Sequence, residues 1–499
     1  MTVNIATALY KSTGSTTSRS LGDRAAQVIN VKDYGAVGNG VADDAAAIQA
    51  AFDAAFGTNA SPHGNGGGPN NTPVYFPHGT YLINSSLRVT AVWGGRIFGD
   101  GQFSSVINYQ GQITTPPTAD NIIAALWLDG CNFCEISGIS FEGKTDPTNH
   151  YTACLWFGPD GVNGGSSAHS NLIVNCSTST TSNGVVHGST ASAANSENTY
   201  LNCNMGPHEQ YGLFVSGANS LNMRVIGGAI GSCAVGIKTN NNATAPVVIN
   251  TAFDGNDCDV DVVSGSTMII QGSRTESFQF IKNNGSVYAI NCGQAASKFT
   301  GTATISGTTL TVSAVGSGAL RNGMVIYDNT AFPSGGGTAP GATVVVQLTG
   351  SSGGTGTYTL SRTAAGALGA SITAYPLFLN SIGAGATLLD GPGVSVDGVF
   401  RSDGNSYLTV RNNFMSNATA LLTGFIGTLL GYDIINTSQA YTVAALPTPA
   451  SCFKGVRMFV TDSTVAVTNN TNIGAIVAGT GGAGSTVPVW CDGTNWRIG

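Results

Sequence analysis

The sequence predicts an all-β solenoid, and three observations predict it: a composition of short strands and tight turns, a repeat with a period in the twenties, and one helix placed ahead of that repeat. Gly supplies 69 of the 499 residues and charged residues only 9%. Val, Ile, Thr, Ser and Asn fill the stretches between glycines, a mixture that favours pleated strands joined by tight turns. With 42% hydrophobic residues the chain carries enough apolar surface to fold, since disordered segments are poor in apolar residues and rich in charge.

The formal net charge is −7, with 19 Lys plus Arg and no basic run. No stripe of cations is available to neutralise phosphates, so nucleic acid is not an expected partner. The opening MTVNIATALYKSTGSTTSRS lacks the apolar core of about 7 to 15 residues that marks a secretory signal. No stretch approaches about 18 consecutive apolar residues, so membrane insertion is not expected either.

Residues 1–29 are polar, Ser/Thr-rich and without period, and read as an attachment segment. In DYGAVGNGVADDAAAIQAAFDAAFG a glycine turn precedes a helix over 43–57. Asp43 and Asp44 can accept hydrogen bonds from the free N–H groups at its start. Ile48, Ala51, Phe52, Ala55 and Phe56 recur at helical spacing, and Gly57 is placed to end it. A phosphate-binding loop is excluded, because no Lys-Ser/Thr follows the glycines. After a Gly/Asn/Pro loop at 60–72 the pattern becomes strand, turn, strand. In VYFPHGTYLI, Val74 and Phe76, then Tyr81 and Ile83, alternate around Pro-His-Gly, and GGRIFGDGQFSSVI repeats the plan.

The repeat follows. Similar short strands end in a small or polar residue at Asn175 (NLIVNC), Asn202 (NTYLNC), Gly227 (MRVIGG), Asn250 (PVVINT), Gln271 (MIIQGS) and Asn291 (VYAINC), at intervals of 27, 25, 23, 21 and 20 residues. Each unit is too small to bury its own apolar face, so the units must stack, and several short strands per unit describe a β-solenoid. Cys176, Cys203 and Cys292 each follow the repeat asparagine. They read as a ladder of small buried side chains, in preference to disulfides or ligands. The asparagines read as turn residues, which tolerate left-handed backbone and stack amide hydrogen bonds between rungs. Cys131 and Cys134 form a CxxC without the second pair that a zinc ribbon needs.

The solenoid is expected over 30–300. Residues 301–375 differ: they alternate β-branched residues with Gly-rich turns, hold Asp328 as their one carboxylate and no lysine, and read as a small inserted β-domain. The solenoid is expected to continue over 376–436, and 437–499 to form a β-rich C-terminal domain for trimerisation or receptor contact.

DYGAVGNGVADDAAAIQAA, VYFPHGTYLI and FGDGQFSSVI together resemble the N-terminal module of the pectate-lyase-like superfamily of right-handed parallel β-helices, shared by polysaccharide lyases, glycoside hydrolases and phage tailspikes. The resemblance covers about 28–110 by motif and extends to about 300 by repeat. It implies that the helix covers the open end of the solenoid and hides a sheet edge. Three features resemble phage tailspikes in particular: the polar leader TTSRSLGDRAAQVINVKDYG, the ISGTTLTVSAV to GTGTYTLS insert, and the ending VPVWCDGTNWRIG. This implies a homotrimer on a virion, attached to a phage tail or baseplate protein through its N-terminal segment and acting on a bacterial surface polysaccharide. Release by lysis would suit a chain without a signal peptide. A non-catalytic receptor-binding or structural tail fibre, and a free polysaccharide lyase, are the alternatives.

A polysaccharide depolymerase needs two carboxylates about 5 to 10 Å apart for hydrolysis, or a base and a charge-neutralising group for β-elimination at a uronic acid. Adjacent rungs of a β-helix lie about 4.8 Å apart, so acids in phase meet that need. Glu276 falls five residues past Gln271. The matching positions are Gly255 beside Asp254, then Ser232, then Pro207 beside His208 and Glu209. The expected catalytic cluster is therefore Glu209, Asp254 and Glu276 with Arg274 and His208; ordinary solvated turn acids are the bland alternative. In DGNDCDVD, Asp257, Asp259 and Asp261 share one strand face. Their repulsion could be relieved by a Ca²⁺ ion or by sugar hydroxyls, against a plain solvated face as the alternative. No cofactor is otherwise required. Among Trp127, Trp156, Tyr200, Tyr211 and Phe214, which can stack on pyranose rings or simply pack the core, Tyr211 and Trp156 are the expected substrate contacts, with Asp257.

Overall fold

The computed structural model describes residues 7, 9–57, 71–113, 122–158, 168–188, 195–216, 220–240, 244–328, 330–333, 341–382, 386–390, 394–395, 399–403, 407–410, 428–432, 442–446, 457–465, 472–477 and 485–499. Most of the predicted 60–72 loop lies outside the described residues. The chain divides into two compact units, Met1–Ala252 and Phe253–Gly499.

In the first unit the chain winds through three parallel sheets as a right-handed parallel β-helix. One sheet takes Leu87–Thr90, Ile123–Asp129, Thr152–Phe157, Asn183–His187, His208–Val215 and Cys233–Thr239 in that order. A second runs from Ile29–Asn30 and Val74–Phe76 through Arg96–Gly99, Glu135–Ser137, Leu172–Val174, Thr199–Leu201 and Arg224–Ile226 to Thr244–Ile249. A third runs from Asn39–Asp43 and Gly79–Ile83 to Asn204–Met205 and Ala229–Gly231.

Register puts like on like. Leu126, Leu155, Val185, Leu213 and Ile237 pair in succession across the first sheet. Ile97, Ile136, Ile173, Tyr200, Val225 and Val248 do so across the second. Both columns are buried. Fully burying one such aliphatic side chain is worth roughly 1.5–3 kcal/mol, which a three-residue strand obtains only by stacking.

The helix spans Ala45–Phe56 and buries Ile48, Ala51, Phe52, Ala55 and Phe56, the stripe read from the sequence. Phe52 packs on Phe76 with ring centroids 6.0 Å apart. The two expected caps divide their work. Asp43 Oδ1 accepts from Ala45 N–H at 3.1 Å. Asp44 instead turns back on the glycine turn, accepting from Val37 N–H at 2.6 Å and Gly38 N–H at 3.0 Å.

The turn leaving the second sheet is left-handed at Gly138, Asn175, Asn202, Gly227 and Asn250, with φ between 51° and 65°. Cys176 and Cys203, one residue on, are buried thiols outside any disulfide, as are all nine described cysteines, so the ladder is one of packing and not of disulfides. In the second unit the ladder corrects the sequence register by one residue. Gln271 pairs with Ile290 as the last residue of its strand, and Gly272 (φ 63°) takes the left-handed position matched by Asn291 (φ 51°).

Parallel pairing also builds the second unit. Cys258–Val262, Gln279–Asn283, Leu377–Ile382 and Val399–Asp403 pair in order. So do Thr267–Gln271, Ser286–Ile290, Ala386–Asp390, Tyr407–Val410 and Thr428–Tyr432. The chain leaves this solenoid at Phe299 and re-enters at Leu377, which pairs with Gln279. Between them Phe299–Ser306, Thr309–Ser317, Val325–Ile326, Ala342–Gln347, Gly356–Leu360 and Ser371–Tyr375 close a barrel around Phe299, Leu310, Phe332 and Tyr358. A three-stranded antiparallel sheet, Arg457–Ser463, Ser485–Cys491 and Trp496–Ile498, forms the C-terminal β-structure.

Candidate functional site

Strand alternation builds the site in the second unit. After Gly272, residues Ser273, Thr275 and Ser277 point inward and are buried, so Arg274 and Glu276 share the outer face. There Arg274 Nη2 pairs with Glu276 Oε1. The neighbouring strand Ala252–Asp254 brings Asp254 to the same face, and Glu276 N–H donates to Phe253 O at 2.9 Å. With Gly272 as the turn residue, Glu276 stands four residues past its turn and Asp254 four past Asn250. The two acids share a phase.

They also share a cavity of about 520 Å³, lined by Asp254, Asp257 and Glu276 from the solenoid and by Arg321, Asn322 and Ser352 from the barrel. Asn322 Nδ2 donates to Asp257 Oδ1 at 3.1 Å, and Arg321 Nη1 donates to Ser352 Oγ at 2.7 Å. Gly323 (φ 85°) lets the barrel loop approach closely, for a Cβ there would sit 2.8 Å from Asp257 O. Asp257 keeps contact with solvent, yet the walls desolvate it enough to raise its pKa, against the lowering effect of the Asn322 amide.

Asp257, Asp259 and Asp261 do not form the expected Ca²⁺ ladder. Asp259 is fully buried, accepts from Asn256 Nδ2 at 2.8 Å and from Thr275 Oγ1, and burial pushes its pKa up to about 7. Asp261 pairs with Lys282 Nζ at 3.1 Å. Each carboxylate has its own partner inside the chain, and among the described residues no group of three His, Cys, Asp or Glu could hold a metal ion.

In the first unit His208 corrects the sequence reading. It points into the solenoid, 5% exposed, with Nε2 2.9 Å from Thr178 Oγ1 and Nδ1 3.1 Å from Thr181 Oγ1. Burial pushes its pKa down to about 4, and no substrate could reach it. Trp156 is corrected too. It is fully buried, stacked on Trp127 with centroids 4.4 Å apart and donating to Gly188 O at 3.2 Å. Tyr211 remains partly exposed, 4.7 Å from the Phe214 ring.

Glu209 behaves differently from His208 because successive side chains of a strand point to opposite faces, and a β-bulge follows. Between the pairs His208–Cys233 and Tyr211–Val235 the strand holds one residue more than its partner, which re-aims side chains. Glu209 Oε2 accepts from Ser182 Oγ at 2.9 Å, and Oε1 lies 3.2 Å from His150 Nδ1. Asp146 fixes the loop that carries His150, accepting from Thr148 and Asn149 N–H through Oδ1. The structure thus divides the five expected catalytic residues between units: His208 and Glu209 in the first, Asp254, Arg274 and Glu276 in the second.

The family model of rhamnogalacturonase A/epimerase, pectate-lyase-like proteins matches residues 28–287, just over half of the 499 residues. The chain belongs to this family. Over 55 residues this pectate-lyase-like chain is 54% identical to plasmin and fibronectin-binding protein A of Streptococcus pneumoniae, an alignment covering 11% of this chain and 6% of that protein. Over 55 residues it is 53% identical to mannuronan C5-epimerase AlgE1 of Azotobacter vinelandii, covering 11% and 3%. The chain thus spans a small fraction of these relatives' length. The enzymatically active domain of tailspike protein 2 of bacteriophage CBA120 aligns at a TM-score of 0.46 and 12% identity, over 98% of this chain and 62% of that one.

The family match contains His150, Ser182 and Glu209 as well as Asp254 and Glu276. Sequence reasoning missed His150, Ser182, Arg321, Asn322 and Ser352. His150 follows the turn-forming TDPTN of a loop outside the repeat, and the barrel residues sit in a segment with no repeat phase. A TDPTN turn signals only that the next side chain is displayed.

Proposed function

We propose that the chain is a phage tailspike that binds and hydrolyses a bacterial surface polysaccharide: a capsule, an exopolysaccharide or an O-antigen. The observation that carries this reading is the pair Asp254 and Glu276, two carboxylates of one phase lining one cavity of about 520 Å³. In-phase strands lie about 4.8 Å apart, and hydrolysis of a glycosidic bond needs carboxyl groups about 5 to 10 Å apart. One protonates the glycosidic oxygen as its bond to the anomeric carbon breaks, while the other attacks that carbon or takes a proton from the attacking water. Membership of a family whose description names a rhamnogalacturonase supports action on a polysaccharide.

The leader over 1–29, the inserted β-domain and the VPVWCDGTNWRIG ending support placement on a virion, as a homotrimer held to a tail or baseplate protein by its N-terminal segment. Among the described residues no helix is long and apolar enough to cross a membrane.

The test is incubation of the protein with purified surface polysaccharides while reducing ends and the ultraviolet absorbance of unsaturated uronates are followed together. Reducing ends should appear without the absorbance. Glu276→Gln and Asp254→Asn, with fold and oligomeric state checked by circular dichroism and sedimentation, should each lower turnover by about 10²- to 10⁴-fold. Binding without cleavage would instead identify a non-catalytic receptor-binding tail protein, and absorbance at each cleavage a lyase.

A further inference from the structure

The barrel inserted at Phe299–Tyr375 forms part of the wall of this pocket. Its loop at 320–323 lies against the solenoid through Gly323, where a Cβ would sit 2.8 Å from Asp257 O and 2.9 Å from Gln279 Cβ. Phe278 of the solenoid packs on the barrel's apolar core. Asn322 reaches across to Asp257 at 3.1 Å. Close backbone approach, apolar packing and a cross-wall hydrogen bond hold the wall in place before any ligand arrives, which lowers the ordering cost of binding.

The charge in that pocket is lopsided. Three carboxylates, Asp254, Asp257 and Glu276, line it against one guanidinium, Arg321. Arg321 is engaged with Ser352 in its own barrel at 2.7 Å, and the nearby Arg274 is turned onto Glu276. A sugar chain bearing a carboxylate on its residues would bring like charge into a partly desolvated space, where repulsion is screened less than in bulk water. Sugar hydroxyls suffer no such repulsion. They donate to carboxylate oxygens and accept from amide, guanidinium and hydroxyl donors, and this lining offers all of these. Asn322 occupies Oδ1 of Asp257. Among the described residues Oδ2 has no partner within the chain and is left to accept from a hydroxyl.

We propose that the pocket selects uncharged, hydroxyl-rich sugar units over uronates, and that the inserted barrel sets this choice through Arg321, Asn322 and Ser352. The inference rests on the pocket being the cleavage site. The three barrel residues are specificity residues, expected to act on KM more than on kcat. Asp257 excludes anionic units by its charge.

The experiment uses the full chain. Capsular polysaccharides and O-antigens purified from a panel of bacteria, some neutral and some uronate-bearing, are each presented in native form and after chemical reduction of carboxyl groups to hydroxymethyl groups. Cleavage of neutral polymers, with carboxyl-reduced forms cleaved at least as fast as their native parents, supports the proposal. Asn322→Ala should then raise KM by about tenfold with kcat within twofold, and Ser352→Ala, an exposed position that spares the barrel's core, should raise KM in the same direction. Asp257→Asn should narrow the difference between native and reduced forms.

Cleavage confined to uronate-bearing polymers and abolished by carboxyl reduction overturns the selectivity while leaving the cleavage site in place. Unchanged KM in both Asn322→Ala and Ser352→Ala overturns the role of the barrel. If Glu276→Gln and Asp254→Asn cleave as fast as the parent, the assignment of the cleavage site fails first and this inference falls with it.

Discussion

Asn202 donates its side-chain amide to the side-chain oxygen of Asn175 at 2.8 Å, and the two residues, 27 apart in sequence, hold the same left-handed backbone at φ 52° and 51°. One residue type thus meets two demands at each turn: the short polar side chain tolerates φ above zero, and its amide extends the hydrogen-bonded column from rung to rung.

Asn202→Ala should therefore cost more than Asn202→Gly. Alanine loses the amide ladder and must adopt a left-handed conformation that costs about 1–3 kcal/mol away from glycine. Glycine loses only the exposed amide bond, worth about 0.5–1.5 kcal/mol. Urea denaturation of both variants checks the order, and equal midpoints would remove the backbone from the account.

The same ladder shows how far the sequence carries. Asn175, Asn202, Gly227 and Asn250 are legible because each follows a short apolar strand and shares the left-handed turn. MIIQGS misleads by one residue, because Gln271 is polar but still in the strand while Gly272 makes the turn. A slip of one residue exchanges the faces of a strand. Corrected, it brings Asp254 and Glu276 into phase with each other. His208 and Glu209 are neighbours in one strand, and alternation alone keeps their side chains from sharing a face; the bulge that follows hid the aim of Gln210 and Tyr211. The burial of Trp156 was legible in hindsight: TACLWF is apolar or small throughout and buried at all six positions, the signature of a strand covered on both faces. Arg321 and Asn322 were out of reach, because their place in the pocket depends on how the barrel docks and not on any period.

The cysteines make a second prediction. The nine described cysteines are buried and in no disulfide, and burial raises Cys203 and Cys292 to about 11 and Cys154 to about 12. The thiolate is the nucleophile, so these three and Cys176, which burial also raises, should resist labelling by an aromatic disulfide in the native protein and react fully once denatured. Reductant should leave the thermal midpoint unchanged. Rapid native labelling of Cys176 or Cys203, located by peptide mapping, would contradict the packing ladder.

Stability should depend on pH through two buried histidines. Burial lowers His187 to about 3 and His208 to about 4, against an ordinary value of about 6.5 in an unfolded chain. Between those values the unfolded chain binds protons that the folded chain does not. The stability is therefore complete above about pH 6.5 and is lost as pH falls toward 4, at up to about 1.4 kcal/mol per pH unit for each histidine. Asp259, raised to about 7 by burial, has the opposite sign: its contribution is complete below the ordinary carboxylate value and lost as pH rises through 7. Urea midpoints from pH 4 to 8 should show a shallower acid loss in His208→Gln and a smaller loss toward pH 7 in Asp259→Asn. Parallel curves for parent and variants would rule these groups out.

The first sheet ends at an edge strand. Leu87–Thr90 is its first strand, and an unpaired edge invites pairing with another chain. Gln49 of the helix supplies what a neighbouring strand would: its Nε2 donates to Arg88 O at 2.9 Å, and its Oε1 accepts from Arg88 N–H at 3.0 Å. Gln49→Ala leaves both backbone groups of a partly buried residue without these partners, at a cost of about 1–3 kcal/mol. Gln49→Glu keeps the acceptor and loses the donor, and should fall between. The alanine variant should unfold at lower urea and gain concentration-dependent association by light scattering. A normal midpoint without added association would show that the helix covers this edge by bulk alone.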